Sequence, residues 1–217
     1  MTPYLLGMDT QDFDKALISA VFHQAGLVGW RGTTLVAAAR EAGLDQGRVR
    51  VRFPGKTAVL LRFGSMADRA MLETAPSTGT RRERLFDLVM ARFDQLQAHR
   101  AGMLALFMAL RTDPATALLL YGATLRSMKW MLDAADVPSS GAKGALRVHG
   151  LAVVWAYTLR AWEKDESADM SATMAALDRA LDRAVQAEDM LPCSRRAVQA
   201  EPGPEPIQGA EDAAPVV

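Results

Sequence analysis

The spacing of apolar residues constrains this chain more than any other feature. They recur every three or four positions almost throughout, and no stretch alternates convincingly with period two. Phe13, Leu17, Val21 and Ala25 share one helical face. Leu85, Leu88, Val89 and Leu96 share another, as do Leu151, Val154, Trp155, Thr158 and Trp162. Met170, Met174, Leu177, Leu181 and Ala184 form a narrower stripe. Glycine and proline punctuate between these runs, at Gly26, Gly43, Pro54, Pro76, Pro114 and Pro138. The pattern predicts an all-α fold of about nine helices, near 11–26, 33–41, 45–53, 56–75, 82–98, 100–111, 114–136, 142–164 and 168–189. From Leu191 onward the chain is rich in Pro, Gly and Glu and buries too little apolar surface to offset its ordering entropy. A disordered tail over 191–217 is expected.

Composition narrows the class. A 217-residue chain that is half apolar is neither wholly disordered nor fibrous, and is long enough to fold without staples. Its single cysteine, Cys193, excludes an intrachain disulfide and a cysteine-rich zinc site. The longest apolar run, Met103 to Leu110, falls far short of the ~18 residues a membrane span requires. Met1 to Asp9 has no basic and apolar regions of the kind a secretory signal needs. A soluble, cytoplasmic protein is expected.

The first sixty residues carry the sharpest local pattern. Thr33 can cap a helix containing Leu35 and Ala37-Ala38-Ala39. In Ala42-Gly43-Leu44, Gly43 can take the left-handed conformation that reverses a chain after a helix. Asp45 can cap the next helix, and Val49 falls where it can pack back on Ala39. This spacing lets two short helices cross closely, as in a helix-turn-helix. Charge points the same way. Twenty-five Lys and Arg balance twenty-five Asp and Glu overall. Yet Arg31, Arg40, Arg48, Arg50, Arg52, Lys56 and Arg62 face only Glu41 and Asp45, a local excess of +5 that leaves −5 on the remainder. A basic segment on an acidic body suits one-ended binding to duplex DNA. Residues 48 and 52 share a helical face and 50 points elsewhere, so at most two of these three arginines reach the same groove.

Ala16 to Leu60, with Ala25-Gly26, Leu35-x-x-Ala38-Ala39, Ala42-Gly43-Leu44 and Phe53-Pro-Gly-Lys56-x-x-Val-Leu60, resembles the DNA-binding domain of TetR-type (TetR/AcrR-like) bacterial regulators. The closing Phe-Pro-x-Lys element is its most specific part. The resemblance implies a helix-turn-helix DNA-binding unit over 1–55 and a ligand-binding and dimerisation domain over 56–190. It implies a recognition helix from Asp45 to Arg52 in the major groove and a phosphate contact at Lys56. The candidate DNA-contacting residues are Thr33, Thr34, Asp45, Gln46, Arg48, Arg50, Arg52 and Lys56. The family commonly has a tyrosine where this chain has Arg50 and a serine where it has Asp45, and Gly47, Val49 and Val51 are poor helix formers.

In the second unit, seven of twelve methionines lie between Met90 and Met174, and three of four tryptophans between Trp130 and Trp162. Their adaptable, bulky side chains favour a deformable apolar cavity. Met103, Phe107, Tyr121, Met128, Trp155 and Trp162 are the candidate lining. An apolar or amphipathic effector with few charges is expected, since few ionisable residues interrupt these faces. The two last long helices offer stripes that can pair with a twofold mate as a four-helix homodimer interface, in keeping with the resemblance.

No catalytic constellation is present. His23, His99 and His149 have no partner at metal-ligand spacing, and Gly64-Ser65-Met66 lacks the second glycine and strand of a nucleophile elbow. Asp165, Glu166 and Asp169 precede a helix whose start favours negative charge, with Ser167 a candidate cap. A non-enzymatic protein without cofactor or metal is expected. The leading reading is a ligand-responsive transcriptional regulator, a repressor acting on palindromic duplex DNA. A second resemblance supplies the alternative. Trp162, Asp165-Glu-Ser-Ala-Asp169, Gly29-Trp30 and Ala67-Asp68-Arg69-x-Met71 look like the TetR-fold accessory proteins of ubiquinone biosynthesis, which hold an isoprenoid lipid. The gene-control reading requires Arg48, Arg52 and Lys56 to face outward, unneutralised by carboxylates; otherwise the lipid reading takes its place.

Overall fold

In the computed structural model, residues 9–190 are described. The expected tail over 191–217, and Cys193 within it, lie outside the described residues. Among those described there are nine α-helices and no strand. They are α1 (Thr10–Gly32), α2 (Leu35–Glu41), α3 (Gln46–Arg52), α4 (Lys56–Glu73), α5 (Arg81–Gln97), α6 (Arg100–Leu110), α7 (Pro114–Ala134), α8 (Gly141–Lys164) and α9 (Ser171–Met190). α1 packs mainly along α6 and also touches α2 and α4, while α2 meets α3. α4 lies against α5 and α7, and α8 lies beside α7 and α9.

The stripes form the core. Phe13, Leu17, Val21 and Ala25 are buried on α1, Leu88, Val89 and Leu96 on α5, and Leu151, Val154, Trp155, Thr158 and Trp162 on α8. Most boundaries fall within two residues of the periodicity. α9 starts three residues later than expected, and α1 departs most, running past Gly26 to a kink at Gly29, where φ is 78°. Gly26 does not end the helix. A Cβ there would lie 3.0 Å from the Cβ of Ala101, so the glycine serves the close approach of α6. At Gly102 the helices come closer still, since a Cβ would lie 2.2 Å from the carbonyl oxygen of Phe22.

α9 begins at Ser171 because the preceding turn is built around Asp165. Its carboxylate accepts from the backbone N–H and hydroxyl of Thr173, each at 2.7 Å, and from Ser167 N–H at 3.0 Å. These bonds outweigh burial and hold the Asp165 pKa well below the usual carboxylate range. Ser167 also takes part, accepting from Ser171 N–H at 3.1 Å. Asp165, with Asp169 accepting from Ser171 N–H at 3.1 Å, therefore builds the helix start, as their position before the stripe suggests.

Candidate nucleic-acid interface

The α2–α3 corner is set by short-range chemistry. Thr34, rather than the adjacent Thr33, caps α2, accepting from Ala37 N–H at 3.2 Å. Thr33 is buried and donates its hydroxyl to the Gly29 carbonyl at 3.0 Å, closing the kinked end of α1. Gly43 adopts φ 66°, and Leu44 N–H then reaches the Ala39 carbonyl at 2.8 Å. Asp45 caps α3 by accepting from Arg48 N–H at 2.6 Å. Val49, Ala38, Ala39, Leu44 and Phe53 are all buried, which locks the crossing of the two helices.

This locking decides which side of α3 faces solvent. The Arg48 guanidinium lies 4.2 Å from the Phe13 ring centroid, back against α1. Arg52 donates to Asp14 through Nε and, at 2.6 Å, through Nη2. Arg62 of α4 donates Nε to the same carboxylate at 2.6 Å. Asp14 has no exposed surface. Burial alone would raise its pKa, but the bonds from Arg52 and Arg62 outweigh that and hold it below the ordinary value. Arg52 is therefore not presented free, as the sequence reading required. Lys56 is half-buried and donates Nζ to the Trp30 carbonyl at 2.6 Å; burial lowers its pKa. Gln46, Gly47, Arg50 and Val51 form the exposed face of α3.

A shallow cleft of about 310 Å³ runs along this corner. Thr33, Thr34, Gln46, Arg50 and Lys56 line it, with Phe53, Pro54 and Gly55. Five of the candidate DNA-contacting residues thus meet in one place, while Asp45, Arg48 and Arg52 build the corner behind them. Including Asp14, three carboxylates oppose the seven cations of this region, leaving +4. Gly47 and Val51 were not among the candidates. Their shared face with Gln46 and Arg50 is the signal that could have found them.

In the bundle, Trp155 and Trp162 join through Phe93, whose ring centroid lies 4.5 Å from Trp155 and 6.3 Å from Trp162. Phe107 meets Trp162 edge-on at 6.3 Å. Met103 and Met128 are buried, whereas Tyr121 is 48% exposed and stands apart from that cluster. Arg92, absent from the candidate lining, is the unexpected neighbour. It is buried, pairs with Asp68 and lies 5.4 Å from the Trp155 ring centroid. Ser127 donates to Asp68 at 2.7 Å, and Arg92 Nε has no hydrogen-bond partner. Burial pushes the Arg92 pKa down to about 10. Arg92 is therefore one of the few ionisable residues that interrupt the apolar faces. Its register, four residues from both Leu88 and Leu96, already placed it on the buried face of α5.

Leu146, Val153 and Tyr157 on α8 and Val185 on α9 remain exposed. Among the described residues no helix is long and apolar enough to cross a membrane. Nor does any group of three or more His, Cys, Asp or Glu residues there suit a metal ion.

No protein-family model matches the sequence, and no curated protein matches it. Solved structures do. A TetR transcriptional regulator from Nitrosomonas europaea ATCC 19718 superposes with TM-score 0.68 at 21% identity, covering 81% of this chain and 99% of that one. A TetR-family regulator from Streptomyces coelicolor gives TM-score 0.58 at 21% identity, covering 91% and 94%. A TetR regulator from Rhodococcus sp. RHA1 gives 0.54 at 15% identity, covering 82% and 97%. The chain has the fold of the TetR-type transcriptional regulators.

Proposed function

We propose that the chain is a ligand-responsive transcriptional regulator that represses by binding palindromic duplex DNA as a homodimer in the cytoplasm. Residues 1–55 act as the DNA-binding unit and 56–190 as the ligand-binding and dimerisation domain. The observation that carries this reading is the cleft, where the exposed face of α3 meets Thr34 and Lys56 within a region of net +4. The requirement placed on the three cations is not met, since Asp14 engages Arg52, Arg48 turns back onto the Phe13 ring and Lys56 donates to the Trp30 carbonyl. One carboxylate shared by two arginines still leaves positive charge, and Arg50 takes the outward position.

The α8–α9 face bearing Leu146, Val153, Tyr157 and Val185 is the proposed twofold interface, which would set two α3 helices on one duplex. The effector is proposed to be apolar or amphipathic and to lodge near Phe93, Phe107, Trp155 and Trp162. α4 starts at Lys56 in the cleft and carries Asp68 into the bundle, so an effector preferring one placement of α4 would alter DNA binding. The chain acts by binding rather than catalysis. The lipid-carrier reading is less favoured because the residues behind that likeness already hold the fold together. Trp162 donates to Gln97, Asp165 builds the α9 turn, and Asp68 pairs with Arg92.

The test is binding to the DNA upstream of the chain's own gene at several salt concentrations. The expected result is specific binding whose logarithm falls linearly with the logarithm of salt. Binding no tighter than to unrelated duplex at every salt overturns the reading.

A further inference from the structure

Val51 is the most exposed large apolar side chain among the described residues, at 88%. A lone surface valine needs no explanation; its place here does. It sits in the last turn of α3, where a β-branched residue favours neither helix formation nor, so exposed, the core. Every other outward position of α3 is polar or bare: Gln46, Gly47 and Arg50 share its face. Gly47 lies one turn earlier and has no side chain to shield the valine methyls. The flanking arginines do not shield it either, because Arg48 lies against Phe13 and Arg52 is bound to Asp14.

We propose that Val51 reads sequence directly, packing its methyl groups on the C5-methyl of a thymine in the major groove. The inference deepens the regulator reading and rests on it. Thymine's methyl is the one apolar feature that the four bases display in that groove. A valine has no hydrogen-bonding group, so it can discriminate there only through this contact. Thr34, Arg50 and Lys56 hold the duplex register from the adjacent cleft, which brings the exposed end of α3 against base edges. Burying one methyl corresponds to about a fourfold preference. A twofold mate repeats the contact, raising the effect over the whole site to roughly fifteenfold.

The test begins by enriching random-sequence duplexes on the full chain. Each thymine of the enriched site is then replaced by uracil, which differs by that methyl alone. The expected result is one thymine per half-site whose replacement weakens binding about fourfold in the native chain and hardly at all in Val51→Ala. An unchanged melting temperature confirms that Val51→Ala keeps the fold. Tolerance of uracil at every position, or the same penalty in Val51→Ala, overturns the assignment while leaving the regulator reading intact. Failure to enrich any sequence over bulk DNA overturns the regulator reading and this inference together.

Discussion

The N-terminal corner and the bundle each hold a carboxylate–arginine pair, but with opposite members sequestered. In the corner the carboxylate is hidden: Asp14 has no exposure, while the side chains of Arg52 and Arg62 keep 34% and 36%. In the bundle the cation is hidden: the side chain of Arg92 keeps 9% and that of Asp68 22%. A corner built this way retains cations at its surface, as DNA binding needs, and can relax into water if a partner is lost. The bundle has no such exit, because Arg92 is enclosed beside Trp155 with one nitrogen already unbonded. Both pairs grip α4, through Arg62 at one point and Asp68 at another. That helix therefore links the two regions alongside the α1–α6 seam.

The largest expected effect follows from breaking the bundle pair. Asp68→Ala strands the Arg92 charge and should cost about 3–5 kcal/mol in chemical denaturation. Asp68→Ala combined with Arg92→Met should recover much of that loss, because no buried charge then remains. Next comes the seam between the regions. Gly102→Ala forces α6 away from the Phe22 carbonyl and should cost roughly 2–3 kcal/mol, far more than the usual gain from replacing a helical glycine by alanine.

The corner pair should yield less. Asp14→Asn should cost about 1–3 kcal/mol at neutral pH, since both arginines can reach solvent. Its pH dependence has a definite sign. Asp14 titrates near 3.8 when unperturbed and lower when folded, so its contribution is present above that value and fades as pH falls through the folded one. The native chain's margin over Asp14→Asn should therefore shrink in acid, measured by denaturation from pH 7 downward. The smallest effect belongs to the α2 cap: Thr34→Ala should cost about 1 kcal/mol, and Thr34→Ser little.

What could be read from sequence divides along the same line. The corner depends on neighbours a few residues apart, so Gly43, the Asp45 cap and buried Val49 were all legible. The α2 cap was read at Thr33 rather than Thr34 because the kink at Gly29, which turns Thr33 inward, lies beyond what spacing conveys. That residues 48 and 52 share a face was plain. That this face turns toward α1 was not, because Asp14 lies 38 residues away from Arg52 in the chain. Gly26 read as punctuation because a glycine's close-packing role depends on a helix not yet placed. The aromatic cluster was partly visible in Trp155, Trp162 and Phe107, but its central ring, Phe93, and the adjoining Arg92–Asp68 pair arise only when α4, α5 and α8 meet.

The central claim is that the outward face of α3 touches DNA while Arg52 serves the fold. It is tested most directly by titrating Arg50→Ala and the native chain against an enriched duplex at one salt concentration, with melting temperature recorded for both. The account predicts at least about tenfold weaker binding for Arg50→Ala, as loss of a charge-assisted contact implies, at an unchanged melting temperature. Equal affinity for the two proteins would contradict it.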